Sequence, residues 1–184
     1  MRITILNGNP YSSNIDLDDY LNKLSESLKS YNHEVVVFTL RDLDIRYCVG
    51  CFGCWIKTPG ECSNVADDSI KVRRSIINSE LLIFASPVIM GFTSALLKRV
   101  HDKFIPLVLP YIGLYHEESH HHPRYKSYPA MGLVLQPDSD TDEEDIDIIT
   151  EIYRRDSLNF HTNVVFTGLV SDSIEKVTNE INSL

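Results

Sequence analysis

Short apolar segments alternate with amphipathic segments along most of the chain, and this alternation limits the folds open to it. The apolar segments are the expected strands, and they lie at residues 3–6, 35–38, 81–85, 130–135 and 163–167. The segments between them carry apolar residues at the i, i+3, i+4, i+7 spacing of one helix face, as from Leu17 to Tyr31. Strands that alternate with helices predict an α/β fold, in which a parallel sheet is covered on both faces by helices.

Polar residues next to the apolar stripes predict where some helices begin. Asn64 is expected to cap a helix over residues 65–78, and Thr93 a helix that carries Leu97 on its apolar face. Residues 141–144 have the form of a capping box and predict a helix over residues 146–158. The third strand is expected to end at Ser86 and Pro87.

The alternating pattern is lost between residues 105 and 129. Prolines exclude a continuous helix there, and tyrosines and histidines are frequent. The segment is too long for a simple connector, so we expect an irregular excursion that packs on another surface. Neither an internal repeat nor a low-complexity linker interrupts the chain, and residues 1–184 are therefore expected to form one domain.

The charge balance narrows the classes of partner. Seventeen Lys and Arg residues face 26 Asp and Glu residues, which gives a formal net charge of -9. Nucleic acid and anionic membranes both require a basic face, so neither is expected as a partner. The start of the chain lacks the pattern of a signal peptide, and no apolar run approaches the roughly 20 residues that span a bilayer. The expected location is the cytoplasm, where thiols stay reduced.

The loop after the first strand is a candidate anion site. Ligands of open parallel sheets bind beyond the carboxyl ends of the strands, where the strand order reverses. Small residues, hydroxyls and amides occur there just ahead of a helix N-terminus, whose free N–H groups favour a phosphate. These candidate residues are Gly8, Asn9, Pro10, Ser12, Ser13 and Asn14. A plain turn with a Ser or Asn cap is the alternative, and the G-x-G-x-x-G fingerprint of dinucleotide sites is missing.

The loop after the third strand is a candidate surface for a flat ring. Pro and Gly bracket an apolar stretch in this loop. A flat isoalloxazine ring needs such an apolar surface, together with backbone N–H donors that face its polar edge. The candidate residues are Ser86, Pro87, Val88, Ile89, Met90, Gly91 and Phe92. The alternative is a hydrophobic loop that is buried under the excursion or against a partner subunit.

The four cysteines form a local cluster with the spacing C-x2-C-x2-C-x7-C, at Cys48, Cys51, Cys54 and Cys62. Three thiolates at this spacing can converge on one face of a [4Fe–4S] cluster, and a fourth can close it. Zinc suits the spacing less well, because its sites usually use two separated C-x2-C pairs. Free thiols packed around Trp55, or a redox disulfide, are the remaining alternatives.

Other polar clusters favour structural interpretations. Consecutive side chains at His120, His121 and His122 cannot all point one way, so with His116 they indicate an exposed loop more than a metal site. The acidic run over residues 138–147 suits a helix N-terminus. The spacing of the residues indicates neither a Ser–His–Asp arrangement nor a pair of catalytic carboxylates.

Residues 48–55, 58–62 and 86–98 together resemble the NADPH-dependent FMN reductase family, particularly its cysteine-bearing branch, which includes iron–sulfur flavoproteins. The resemblance implies a flavodoxin-like three-layer sandwich with five parallel strands in the order 2-1-3-4-5. It implies FMN as cofactor, with its phosphate at residues 8–14 and its ring at residues 86–92. It also implies NAD(P)H as co-substrate, a quinone, flavin, azo or nitro compound as acceptor, and a homodimer or tetramer. The flavin carries the chemistry, so the resemblance assigns no catalytic side chain.

The first loop departs from the family's pattern. Where the family usually has an Arg and a Gly-Asn-Thr ending, this chain has Tyr11 and residues 14–16, Asn-Ile-Asp. Asp16, Asp18 and Asp19 then place negative charge near the expected phosphate. Two alternatives to the reductase follow: an iron–sulfur electron carrier that uses the four cysteines, and a cofactor-free binding or redox-sensing module.

Overall fold

The computed structural model describes residues 1–64 and 66–184 and contains a parallel sheet with helices on both faces. The strands are β1 (Arg2–Asn7), β2 (Glu34–Thr39), β3 (Leu81–Ile89), β4 (Phe92–Thr93), β5 (Val108–Tyr115), β6 (Glu118–Pro123), β7 (Ala130–Gln136) and β8 (Val164–Leu169). The α-helices are α1 (Ile15–Ser30), α2 (Gly53–Ile56), α3 (Ser69–Ile77), α4 (Ala95–His101), α5 (Glu143–Ser157) and α6 (Ile174–Asn182). Short 3-10 segments cover Leu40–Asp42, Asp102–Leu107 and Leu158–Phe160.

The five long parallel strands run in the order β2-β1-β3-β7-β8, which confirms the expected flavodoxin-like topology. From β1 the chain moves outward to β2 and then crosses back to β3 on the other side of β1. The strand order therefore reverses between β1 and β3, and the loops after these two strands flank the crevice where such sheets bind ligands.

Alternating strand residues divide the core into two layers. Ile3 and Ile5 pack with α1 and α6, whereas Leu82 and Phe84 pack with α3, α4 and α5. Both layers are closed to water, so the strands are apolar on both faces, as buried parallel strands are. In the part of the chain that the structure describes, no helix has the length and apolar character needed to cross a bilayer.

The third strand is longer than expected, because β3 continues through Pro87 to Ile89. Pairing with β1 stops at Ala85, and beyond it β3 pairs with β7 and with the short strand β4. Pro87 thus lies past the last residue that pairs with β1, where a strand tolerates a residue without an N–H. The prediction that the strand ends at Ser86 was wrong.

Two predicted helix caps were also wrong. α3 begins at Ser69, after Asp68, and its start depends on Asp67, whose carboxylate accepts a hydrogen bond from the Ser69 N–H at 3.0 Å. Asn64 is therefore not its cap, and Val65, the expected first residue, lies outside the described residues. α4 is capped by Ser94 and not by Thr93, since the Ser94 hydroxyl accepts from the N–H of Leu97 at 3.1 Å.

The segment over residues 105–129 is more regular than expected, because β5 and β6 pair as an antiparallel hairpin. Along β6 the side chain of His120 is buried, that of His121 half-buried and that of His122 exposed. These residues thus lie in a strand and not in the exposed loop that was expected, and burial falls from His120 toward His122. On β5, Tyr111, Ile112 and Leu114 are exposed.

Gly8 is placed where a larger residue does not fit. A Cβ atom there would lie 2.9 Å from the Leu97 Cβ and 3.0 Å from the Ala85 carbonyl oxygen, and both belong to rigid elements. Gly8→Ala is therefore expected to lower the free energy of unfolding by about 1–2 kcal/mol, measured by urea denaturation. Ser12→Ala, exposed in the same loop, is the control and should stay within about 0.5 kcal/mol. Equal losses in the two variants would contradict this account.

Candidate functional site

The loop after β1 is fastened to the ends of β3 and β7. The Gly8 N–H donates to the Ala85 carbonyl at 2.7 Å, and the Ser94 hydroxyl donates to the Gly8 carbonyl at 2.6 Å. Farther along the loop, the Asn14 amide donates to the Gln136 side-chain oxygen at 2.6 Å. The carboxyl ends of three adjacent strands thus form one continuous edge, at the point where the strand order reverses.

Asp18 organises this loop. Its carboxylate accepts hydrogen bonds from the side-chain amides of Asn7 at 2.7 Å and Asn9 at 3.1 Å, and it pairs with the Arg41 guanidinium at 2.6 Å. Burial raises the pKa of Asp18, but the hydrogen bonds from Arg41, Asn7 and Asn9 outweigh burial and hold that pKa below its ordinary value. Arg41 also donates to the Asn9 carbonyl at 3.3 Å.

Arg41 was missed by the sequence analysis. It follows β2, the neighbour of β1, so the carboxyl end of β2 brings it to the same edge as the candidate loop. Its position just after a predicted strand was the only available signal. The loop after β1 has no Arg of its own, but Arg41, which follows β2, contacts it.

The exposed part of the loop offers open hydrogen-bond donors. Asn14 precedes α1 but makes no side-chain cap on the helix, since its side-chain oxygen accepts from the Gln136 amide at 3.3 Å. Within the described residues, no hydrogen bond occupies the backbone N–H of Ser12 or Ser13, and both residues are exposed. A helix N-terminus without a cap and with free N–H groups before it is suited to an anion.

Ion pairs reduce the acidity around that helix end. Asp19 pairs with Lys23 at 2.6 Å on the surface, and Asp18 is paired with Arg41. Asp16 forms no ion pair in the described part of the chain. Two of the three acidic residues that would repel an anion at this position are therefore neutralised by ion pairs with neighbours.

The second candidate loop is a hairpin whose tip is open to solvent. Met90 and Gly91 have φ angles of 52° and 73°, as in a two-residue hairpin turn, and Met90 is 99% exposed. Ile89 and Phe92 flank the turn and are half-buried. Ser86, Pro87 and Val88 are buried in β3, so side-chain contact with a ligand is left to residues 89–92.

The four cysteines line one pocket, here called the cysteine pocket, together with Lys103 and Pro106 among others. Left-handed backbone at Gly50 and Phe52 folds the segment tightly enough to bring the thiols together. Cys48, Cys51 and Cys54 carry free thiols, and Cys54 is buried at the start of α2. Burial raises the pKa of Cys54, and the neighbouring thiols of Cys48, Cys62 and Cys51 add to that rise.

The cysteine pocket is separate from the two candidate loops. Among the described residues that line it, none belongs to residues 8–14 or 86–92. Nor do any three His, Cys, Asp or Glu side chains in the described ranges converge closely enough to hold one metal ion. The spacing pattern therefore corresponds to one shared pocket, without a ready-made site for a single ion.

A buried ion pair lies beside the cysteine pocket. Lys103, which is 3% exposed, donates to the Asp67 carboxylate at 3.1 Å. Burial raises the pKa of Asp67, but hydrogen bonds from the Ser69 hydroxyl, the Arg46 N–H and Lys103 lower it to about 2. Neither residue was predicted from the sequence to belong to a site.

Residues 1–121 match the family model described as NADPH-dependent FMN reductase. The chain belongs to this family. The match includes both candidate loops and all four cysteines, so the resemblance inferred from the motifs is confirmed.

A curated relative adds to the family assignment. An iron–sulfur flavoprotein of Archaeoglobus fulgidus is 27% identical over 103 residues, which are 56% of this chain and 48% of the relative. The chain therefore spans about half the length of the curated relative that it matches.

Solved structures of two reductases share the fold of this FMN reductase family member. An NAD(P)H:quinone oxidoreductase from Methanothermobacter marburgensis aligns over 100% of this chain and 95% of its own, with a TM-score of 0.63 and 18% identity. An FMN-dependent NADH-azoreductase from Bacillus anthracis, solved in complex with FMN, aligns over 100% and 95%, with a TM-score of 0.56 and 13% identity. At these identities the likeness shows the fold alone.

The residues at the edge of the sheet fit FMN in chemical type. A phosphate requires donors, and the open N–H groups and hydroxyls of Ser12 and Ser13, next to an uncapped helix, provide them. A ring requires an apolar surface with backbone donors, which residues 89–92 provide. The negative charge of Asp18 is no obstacle, because Arg41 neutralises it.

The cysteine pocket fits an iron–sulfur cluster in the number and type of its ligands. Four thiols surround one space, and thiolates are the usual ligands of [4Fe–4S] clusters. A single zinc ion requires its sulfurs about 2.3 Å from one centre, and the described residues offer no such convergence. Among the described residues, the pocket thus offers four thiols but no arrangement that would hold a single zinc ion.

Proposed function

We propose that this protein binds FMN and acts as an NAD(P)H-dependent oxidoreductase that passes electrons to a small acceptor. The observation that carries the proposal is the joining of the loop after β1 to the ends of β3 and β7 where the strand order reverses. Family membership supports it, and quinone and azo compounds are the acceptors named for the fold neighbours. When bound, FMN supplies the capacity to accept hydride and to pass on electrons.

The protein's own part is to anchor and to orient. Ser12 and Ser13, with the open end of α1, would hold the phosphate. Ile89 and Phe92 would present apolar surface to the ring, and the backbone N–H groups of the Met90–Gly91 turn would face its polar edge. No acid or base among the side chains is required for this role, because the site works by position and by backbone dipoles.

The spectrum of anaerobically purified protein tests this function directly. We expect yellow protein that releases FMN on heating, and bleaching of the flavin absorbance on titration with NADPH. Colourless protein that takes up no FMN on titration would overturn the proposal and favour a cofactor-free binding or redox-sensing module.

Ser13→Asp is expected to weaken FMN binding about tenfold, because it adds a negative charge beside the phosphate position. Binding of riboflavin, which has no phosphate, should not change. Fluorescence titration of both flavins measures the difference. Ser13→Asn is the matched control, with the same size and no charge. If the Asn variant weakens FMN binding equally, or if riboflavin binding falls in parallel, the phosphate is held elsewhere.

A second candidate function is electron transfer through a [4Fe–4S] cluster at the cysteine pocket. It is favoured by the presence of all four cysteines in the lining of one pocket and by the curated relative, an iron–sulfur flavoprotein. The cytoplasm is the compartment that we propose, since it keeps these thiols reduced. Brown colour with acid-labile sulfide would support this function, and iron-free yellow protein would exclude it.

We further propose that the protein is a homodimer or tetramer. The exposed Tyr111, Ile112 and Leu114 of β5 support this, since neighbouring apolar side chains on a surface are typical of protein contacts. Light scattering tests it, and a monomer at micromolar concentration would contradict it.

A further inference from the structure

A second buried cation lies in α3. Arg73 is only 4% exposed, and its guanidinium donates to the Ser69 hydroxyl at 2.7 Å. Within the described residues, no carboxylate lies within ion-pair distance of Arg73. A buried guanidinium without an anion is costly, so the anion that compensates it must be sought nearby.

Hydrogen bonds connect Arg73 to the ion pair at the cysteine pocket. The Ser69 hydroxyl, which accepts from Arg73, donates to the Asp67 carboxylate, and Asp67 in turn accepts from Lys103. This network therefore contains two cations, Arg73 and Lys103, and one carboxylate, Asp67. It has an excess of one positive charge in the interior.

The network reaches the thiols through Lys103. Lys103 lines the cysteine pocket directly. Burial lowers the pKa of Arg73, and the groups that act against this are Cys62, Asp67, Cys54 and Glu61, in falling order. Glu61 is exposed and paired with Arg74 at 3.3 Å, so solvent weakens its effect. The cysteine side of the network is where its missing anion would fit.

We propose that Arg73 and Lys103 supply the counter-charge for an anionic, thiolate-ligated centre in the cysteine pocket. The inference rests on the second candidate function and adds to it the residues that set the charge balance of that centre. A [4Fe–4S] cluster with four thiolates is negatively charged in both its usual redox states, and it gains one more negative charge on reduction. Nearby fixed positive charge favours the reduced state and raises the reduction potential.

The test compares Arg73→Gln with Arg74→Gln, its exposed neighbour in the same helix. The full chain of each variant is reconstituted anaerobically with ferrous iron and sulfide, and iron and sulfide content and midpoint potential are measured. Arg73→Gln should disfavour the reduced cluster at least tenfold, which is about 59 mV more negative for a one-electron couple. Arg74→Gln should match the wild type. Arg73→Lys, which keeps the charge, should recover most of the shift.

Several outcomes would overturn the inference. One is equal potentials in the two Gln variants, and another is a wild-type chain that takes up no iron. If zinc binds in place of iron, the role survives only if Arg73→Gln weakens zinc binding tenfold relative to Arg74→Gln. If Arg73→Gln does not fold, Lys103→Gln against the exposed control Lys176→Gln replaces the pair. The flavin spectrum of the same samples reports FMN binding separately, so failure here is distinguishable from failure of the proposed reductase.

Discussion

Asp67→Asn should lower the free energy of unfolding by about 3–5 kcal/mol, because it leaves the buried Lys103 without a charge partner. All the groups around the carboxylate are donors: the N–H and hydroxyl of Ser69, the Arg46 N–H and the Lys103 ammonium. An Asn side chain must place its NH₂ group against two of these donors. Urea denaturation at neutral pH measures the loss.

Asp68→Asn is the matched control for this prediction. Asp68 is the adjacent residue, it is partly exposed, and it pairs with Lys71 at 3.1 Å. A surface pair of this kind is worth about 1 kcal/mol at most. Similar losses in the two variants would show that the buried pair contributes no more than a surface pair.

Asp67 also makes part of the free energy of unfolding dependent on pH. The pKa of Asp67 is about 2 in the folded state, below its ordinary value of 3.8. The folded state therefore binds fewer protons than the unfolded state between these values. The stabilisation, about 2 kcal/mol, is fully present above pH 4 or so and is lost as the pH falls toward 2. Asp67→Asn should lack this component of the acid transition.

The strands of the sheet could be predicted from the sequence, because short apolar runs mark them, whereas their order was implied by the resemblance to the family. The β-branched run at Val35, Val36 and Val37 predicts a strand, and β2 forms there, although as an edge strand with Val36 exposed and not as the buried strand that was expected. Helix caps were harder to predict. Thr93 and Ser94 are both competent caps, and only the three-dimensional path after β4 selects Ser94.

The hairpin of β5 and β6 was missed because its turn lacks the usual residues. His116 and Glu117 occupy the two left-handed positions, with φ angles of 50° and 64°. Asn and Gly are the residues that signal such a turn, since they adopt positive φ at little cost. Without them the sequence contains no hairpin signal.

Charge partners between distant elements were the least predictable part of the site. Arg41 meets Asp18 across 23 positions, and Lys103 meets Asp67 across 36. A long side chain at one position can reach many neighbours, so sequence alone does not select one. The acids near the first loop therefore counted against a phosphate in the sequence analysis, although the fold supplies Arg41 to neutralise one of them.

The ion pair between Arg41 and Asp18 leads to a second large expected effect, on FMN binding. Arg41→Gln is expected to weaken FMN binding by about tenfold to a hundredfold, because the Asp18 carboxylate then stays uncompensated beside the phosphate position. Riboflavin binding should remain close to that of the wild type, since riboflavin carries no phosphate to repel. Fluorescence titration of both flavins at fixed ionic strength measures the two affinities.

The double variant Asp18→Asn/Arg41→Gln separates two roles for Arg41. If Arg41 acts by neutralising Asp18, removing both charges should restore most of the FMN affinity, and the two substitutions will be strongly non-additive. If Arg41 instead contacts the phosphate itself, the double variant will remain as weak as Arg41→Gln, and Asp18→Asn alone will bind FMN more tightly than the wild type. Loss of riboflavin binding in step with FMN would contradict both roles, because the change would then lie in the fold of the loop that Asp18 organises.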